Sequence, residues 1–419
     1  MCIARSAVVN LFCGMRGGDM SSVTQPIDER YLARARTAST ATARLLFTDN
    51  LKLMLTLLVI AQHAAQPYGP TTGSWPVAND ERTFVLAPFL AVNAAFFMAL
   101  FFLLAGYFTP GAYDRKGAAQ FLRDRVVRLG VPFVFFSLVV FGPISYGSYA
   151  AESANPLSFW QFMAQSYLSG DAFQAGHLWF IALLLLLSVC YLLYRQFAPL
   201  ALVEAAPGAP SGRAILLFTL ALACAAFLVR IWSPVDQWTH ILRFIPVEPA
   251  HLPQYISFYV LGIVAYRRGW FTSLAASIGM RWLWIGLAAA AARYVYSIGA
   301  PLLHDIAPVP VIIADGGANW RALVWSLWES LICVGLSVGL LTLFRDRLNQ
   351  QSRLVALLAA CSYAVYLLHL WLVIGLQFGL DDVALPPWSK FLLVLVAGTL
   401  LSFGASSLLR RLPYATHII

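Results

Sequence analysis

Charge is what this chain has least of. Only 11% of its 419 residues are Asp, Glu, Lys or Arg, while 60% are hydrophobic and 14% aromatic. A soluble domain carries about a quarter of its residues as charges, so the shortage excludes a water-soluble globular body as the main architecture. Cysteine is also sparse and badly placed for cross-linking. Cys2, Cys13, Cys190, Cys224, Cys333 and Cys361 fall in the leading stretch or inside apolar runs, with no short pairing and no ligand-like spacing. Neither a disulfide nor a metal site is expected from them. A repeat of solenoid period is missing, and so is the inverted repeat that many transporters show.

What the chain does have is apolar length. Crossing a hydrocarbon layer of about 30 Å takes roughly 20 mostly apolar helical residues, and about ten such stretches occur: 46–66, 84–106, 131–150, 177–195, 214–232, 253–267, 281–299, 321–344, 354–376 and 390–410. The sixth is the weakest, because 253–267 is short for a span. Threading the spans with the N-terminus in the cytoplasm places all but six of the 28 Lys and Arg residues on that side or at its boundary. The exceptions are Arg82, Arg230, Arg243, Arg293, Arg321 and Lys390. The opposite threading inverts this bias, so the positive-inside rule selects cytoplasmic termini. The net charge of +9 then reads as anchoring to the inner leaflet and not as a nucleic-acid surface. An all-α polytopic membrane protein follows, with a flexible cytoplasmic leader over 1–45, a transmembrane domain over 46–411 and a short cytoplasmic tail over 412–419. The start could be Met1 or Met20.

The connections differ in character. The segment 109–130 carries Arg115, Lys116, Arg123, Arg125 and Arg128 with Phe121, Leu122, Val126 and Leu129 at helical spacing, the pattern of a basic amphipathic helix on the inner membrane surface. The segment 196–213 holds Pro199, Pro207, Gly208, Pro210 and Gly212 and reads as a loose linker. The outer segments 151–176 and 233–252 are rich in Trp, Phe and Pro, as interfacial or re-entrant pieces are. Trp160, Trp232, Trp238 and Trp388 read as belt residues.

Ionisable groups inside apolar spans are costly and mark candidate sites. Span one holds Lys52 and His63. Eleven helical steps make three turns plus about 20°, so the two side chains share a face roughly 16 Å apart along the axis, and Asp49 joins that face within pairing reach of Lys52. Each also has a bland reading: a lysine snorkelling to the interface, and an imidazole that serves helix packing.

A Lys followed after ten intervening residues by His in the first span resembles the signature of the acyltransferase 3 family, and further pieces occur in its order. Asp49-Asn50-Leu51-Lys52 resembles the opening motif, and Phe101-Phe102-Leu103-Leu104-Ala105-Gly106-Tyr107-Phe108 the end of the second span. Arg125 and Arg128 match paired arginines in the first cytoplasmic loop, His177-Leu178-Trp179-Phe180 the entry to the fourth span, and Ser362 through His369 the last shared helix. The resemblance covers about 47–410. Two positions depart from the pattern: Lys52 stands where Arg is commoner, and Ala105 where Ser is frequent. A lysine keeps the charge but loses bidentate phosphate geometry, which bears on donor affinity.

The resemblance implies a membrane O-acyltransferase that takes a short acyl group, such as acetyl, from cytosolic acyl-coenzyme A and places it on a hydroxyl of a glycan, lipid or small molecule in a bacterial inner membrane. No permanently bound cofactor is implied. Lys52, Arg125 and Arg128 would hold the donor's phosphates. His63 would act as general base or carry the acyl group. Glu329 and His369, which thread to the same outer half, join it as catalytic candidates, with Asp49, His177 and Trp179 binding or orienting substrate. The competing readings are a carboxylate neutralised by a neighbour such as Arg293 for Glu329, an interfacial anchor for His177 and a packing hydrogen bond for His369. A proton-coupled small-molecule transporter or exporter is the alternative function, since intramembrane His, Glu and Arg suit it as well.

Overall fold

The computed structural model describes residues 45–70, 75–197, 208–303 and 316–413. The expected leader, apart from Leu45, lies outside the described residues, and so does most of the expected tail. Cys2 and Cys13 also lie outside them, and Cys190, Cys224, Cys333 and Cys361 are free thiols.

The described chain is almost wholly helical. Its α-helices of six or more residues are α1 Leu46–Ala65, α2 Ala87–Arg125, α3 Val131–Phe136, α4 Gly142–Glu152, α5 Trp179–Phe197, α6 Gly212–Arg230, α7 Leu252–Arg268, α8 Ala276–Leu303, α9 Trp320–Arg347, α10 Arg353–Gly379 and α11 Pro387–Leu409. Local chemistry sets several boundaries. Asp49 lies in the first turn of α1, where the helix dipole favours a carboxylate, and Pro67 stands in the tight turn that follows its end. Ser211, Asn319 and Ser352 accept a hydrogen bond from the backbone at the starts of α6, α9 and α10.

Seven helical segments are long and apolar enough to cross a membrane by length and composition. One of them, Phe84–Glu152, is a run of 69 residues that contains two of the expected spans, broken at Gly117 and with wide π-type turns at Val126–Gly130 and Ser137–Phe141. Two other expected spans form as helices outside the seven. Helix α7 has only 17 residues, and α1 carries Asp49, Asn50, Lys52, Gln62 and His63 within its 20, so the polar groups that mark it as interesting also dilute its hydropathy. The large side chains exposed along α11, among them Leu392, Leu393, Val396, Leu400 and Leu401, form a surface that suits lipid tails better than water.

Two expectations about connections change. The basic segment after Thr109 is helical but not a single helix: its first residues continue α2, and the rest follows a break at Gly117, whose φ of 73° and ψ of 172° leave the helical range in a way that glycine tolerates. Phe121 and Leu129 are buried there while Leu122 and Val126 are exposed, because Phe121 turns toward Tyr113 and Tyr191. The segment 233–252 contains an antiparallel hairpin pairing Thr239–Ile241 with Ile245–Val247. Its turn uses Leu242 and Arg243 at positive φ and lacks the Asn-Gly or Asp-Gly pair that announces a hairpin in a sequence.

Helix α1 is packed by α2, α9, α10 and α11, and Leu51, Leu55, Ile60, Ala64 and Ala65 on it are completely enclosed. Helices α2 and α7 cross at glycines. A methyl group on Gly106 would collide with the Tyr259 carbonyl, and one on Gly262 with the Leu103 carbonyl. Gly106→Ala is therefore expected to destabilise the detergent-solubilised protein by about 1–3 kcal/mol. Gly404→Ala, where a methyl meets open space, should leave the unfolding temperature unchanged, and equal effects of the two would contradict the crossing.

Candidate functional site

Helix α1 is unbroken from Leu46 to Ala65, so Lys52, Thr56, Val59 and His63 form one stripe along it. The two ends of the stripe meet different neighbours. The Lys52 ammonium lies 3.6 Å from Asp49 and 4.4 Å above the Phe108 ring of α2. His63 meets His369 of α10, and Thr56 and Val59 between them are buried. The stripe thus runs along the seam between α2 and α10.

At the His63 end the hydrogen bonds assign the protons. His63 Nδ1 is 2.8 Å from His369 Nε2, and His369 Nδ1 lies 2.8 Å from the Tyr366 carbonyl and 3.1 Å from that of Val365. A carbonyl oxygen only accepts, so His369 Nδ1 carries a proton and, in the neutral ring, Nε2 is the acceptor. His63 Nδ1 then donates to it, which leaves His63 Nε2 as a lone pair. The imidazole of His63 is only partly buried, whereas His369 is fully enclosed.

A third histidine joins them. His177, in the turn that precedes α5, is 6% exposed, which replaces the interfacial-anchor reading with an interior position. Its ring centroid is 5.1 Å from that of His369 and 5.2 Å from that of Tyr366, whose hydroxyl donates to the His177 carbonyl at 2.5 Å. Trp179 lies beyond, with its ring 5.2 Å from Tyr255 and 5.8 Å from Trp238. Trp160, Trp232, Trp238 and Trp388 are all exposed, as belt residues are.

Glu329 belongs elsewhere. One carboxylate oxygen is 2.7 Å from His251 Nε2 and the other pairs with Arg230, while His251 Nδ1 is 2.6 Å from Glu248 and Glu248 also accepts from the Asp236 amide at 2.7 Å. The neutralising partner is therefore Arg230 with His251, not Arg293, whose guanidinium lies over Trp325 and Trp328. Burial opposes charge on His251, which sits in the turn before α7, but Glu248 and Glu329 outweigh it and push its pKa up to about 10. Burial likewise raises Glu248, and the adjacent His251 charge more than reverses this, leaving its carboxyl below the usual range. Two basic groups thus face two carboxylates, and Glu329 is joined to both of the basic ones.

The basic end contains more than the sequence pattern indicates. Arg125 is partly buried, 3.5 Å from the Thr109 hydroxyl and 5.1 Å from the Phe121 ring, whereas the Arg128 side chain is exposed and its carbonyl accepts from Tyr363. The paired arginines therefore sit in different surroundings. Asp114 bridges Arg195 at 2.8 Å and Arg267 at 2.6 Å, and the Tyr191 hydroxyl contacts both guanidinia. None of Asp114, Arg195, Arg267 or Tyr191 stands out in the sequence, because basic loop residues also satisfy the topology rule. Trp75 and Gln377 at the other end were equally silent, although Gln377, an amide inside an apolar span, is a signal of the same kind as His63.

Comparisons with known proteins agree with this picture of a helical membrane protein. A family model described as an acyltransferase domain, that of the acyltransferase 3 family, matches residues 45–407. The chain belongs to that family. Among curated proteins it is similar to glucans biosynthesis protein C of Salmonella schwarzengrund (strain CVM19633) and of Salmonella typhi, each 24% identical over 230 residues, and of Salmonella gallinarum (strain 287/91 / NCTC 13346) at 25%. Each alignment covers 52% of this chain and 58% of the relative, so the chain spans little more than half the length of the curated relatives it matches. No solved structure matches.

Breaking the Arg230 network tests its character. Arg230→Leu leaves Glu329 short of a cation in an apolar interior and is expected to destabilise the protein by about 3–5 kcal/mol, with much of that recovered in Arg230→Leu/Glu329→Leu. Thermal unfolding in detergent measures both, and a double variant no better than the single one would contradict the pairing.

Proposed function

We propose that the protein is a membrane O-acyltransferase that moves a short acyl group from acyl-coenzyme A, held at the Lys52 end, to a hydroxyl presented to His63. The observation that carries this reading is the lone pair left on His63 Nε2 by the hydrogen bonds running from the Val365 and Tyr366 carbonyls through His369. A neutral imidazole with one committed N–H and one free lone pair is the form a general base takes near pH 7.

The steps follow from that assignment. His63 Nε2 takes the proton of the acceptor hydroxyl as its oxygen attacks the thioester carbonyl. The carbon–sulfur bond breaks, the acyl–oxygen bond is complete, and the departing thiolate receives the proton from His63. His369 does not touch substrate; it holds His63 in the required tautomer and accepts the N–H that turns partly cationic. Lys52, Arg125 and Arg128, with Arg195 and Arg267 at the same end, are the cations available to the donor's phosphates. Asp49 orients Lys52, and His177 and Trp179 line the approach to the dyad. Glu329, engaged on both oxygens, supports the fold of that approach and takes no proton.

Membership in an acyltransferase family that spans essentially the whole helical domain supports the reaction class. A glycan is the acceptor class favoured, because the Salmonella relatives are named for glucan biosynthesis. The distribution of basic residues supports cytoplasmic termini and a bacterial inner membrane. A carrier would use the same histidines, but nothing in the ion networks favours that reading.

His63→Ala is expected to abolish acyl transfer to glycan in membranes while leaving the protein inserted, and unchanged acylation by mass spectrometry would remove His63 from the mechanism. His369→Ala, which frees the His63 tautomer, should lower kcat by about 10²- to 10⁴-fold. Lys52→Ala should raise the donor KM by about tenfold with the acceptor KM unchanged; an effect confined to the acceptor would reverse the assignment of the two ends.

A further inference from the structure

His63 has a second flat neighbour. The Trp75 ring stacks on the imidazole with centroids 5.4 Å apart and planes 16° from parallel, while His369 lies at 5.0 Å and 21°. Trp75 comes from the connection between α1 and α2, where a tryptophan reads as a belt residue facing lipid headgroups. Its position is instead tied down at several points.

The indole N–H donates to Gln377 Oε1 at 2.9 Å, and Gln377 Nε2 donates to the His63 carbonyl at 2.9 Å. Gln377 is 1% exposed. It satisfies a carbonyl that the last turn of α1 leaves without an intrahelical partner, so one amide links the base's own backbone to the ring that covers it. Farther along the same connection, the buried Lys390 ammonium donates to Asn79 Oδ1 at 2.8 Å and to the Asp381 carbonyl at 3.0 Å, and the Thr83 amide donates to the Tyr68 carbonyl at 2.9 Å. The connection is held at both ends, and the stack does not depend on the packing of Trp75 alone.

The chemistry gives such a stack a use. When His63 takes a proton at Nε2 it becomes a cation flanked by two neutral imidazoles, His369 directly and His177 behind it, and no carboxylate contacts its ring among the described residues. The network of Glu248 and Glu329 is committed to Arg230 and His251. Indole has the strongest π-face among side chains for stabilising a cation, and the orientation found here places that face on the ring that becomes charged.

We propose that Trp75 is a positioning residue of the acyl transfer, whose ring face holds the plane of His63 and stabilises the imidazolium that forms there as the acceptor hydroxyl loses its proton. The inference rests on the reading of His63 as general base. It assigns to an aromatic face the task that a buried carboxylate performs in other histidine-dependent acyl transfers.

The test compares Trp75→Leu with Trp75→Phe in membranes, using acetyl-coenzyme A and a glycan acceptor. Leucine keeps an apolar cover and removes the π-face; phenylalanine restores a face but not the N–H. Trp75→Leu is expected to lower kcat about tenfold with both KM values unchanged, and Trp75→Phe to stay within about threefold of the parent. An unaltered kcat in Trp75→Leu overturns the proposal while leaving the general-base reading intact. Equal losses in the two variants overturn it too, by moving the effect to the hydrogen bond with Gln377. A rise in acceptor KM alone makes Trp75 an acceptor contact and ends its assigned role. If the parent itself transfers no acyl group, the general-base reading falls and takes this inference with it.

Discussion

A hydrogen bond between two imidazoles sets the arrangement at the His63 end. In an apolar interior a polar nitrogen has no water to turn to and must find a partner in the protein. His369 finds two carbonyls of its own helix for Nδ1, and this leaves Nε2 able to accept but not to donate. The constraint passes across the helix pair, so that His63 Nδ1 must carry its proton toward His369 and Nε2 is left without one. A single choice of tautomer in α10 thus decides the chemical character of a side chain on α1. Gln377 strengthens the same joint from the other direction by binding the His63 carbonyl.

The ion pairs divide into two groups by their balance. Arg230, Glu329, His251 and Glu248 are buried and mutually neutralised, and with every charge answered inside the protein they tie the end of α6 to α9, the hairpin and the start of α7. Such a network serves the architecture, and both Glu329 oxygens are engaged in it. At the opposite end, Asp114 faces two guanidinia while Arg125 and Arg128 add further positive charge. Around Asp114 the guanidinia thus outnumber the carboxylate that they contact.

Helix α1 reconciles the two ends. It is short of hydropathy because it carries polar groups, yet most of its residues are buried, so neighbouring helices take the place of lipid around them. That is how a membrane protein accommodates ionisable residues: by surrounding them with protein. The glycine crossing brings the backbones of α2 and α7 together, and the Phe108 ring beside Lys52 belongs to α2.

Sequence alone determined the membrane class, the approximate spans and the Lys52–His63 stripe, because hydrophobic length and helical periodicity are local properties that a chain writes in order. It also pointed to His369 and His177 through the shared pattern of the acyltransferase 3 family. What it left open was partnership. That His369 rather than Glu329 meets His63, that Arg230 rather than Arg293 pairs with Glu329, and that Trp75 stacks on His63 instead of lining the membrane surface all depend on tertiary contacts, between residues 306 positions apart for the two histidines. Such contacts follow from how helices cross and from which buried groups must satisfy one another, and only the folded arrangement fixes them.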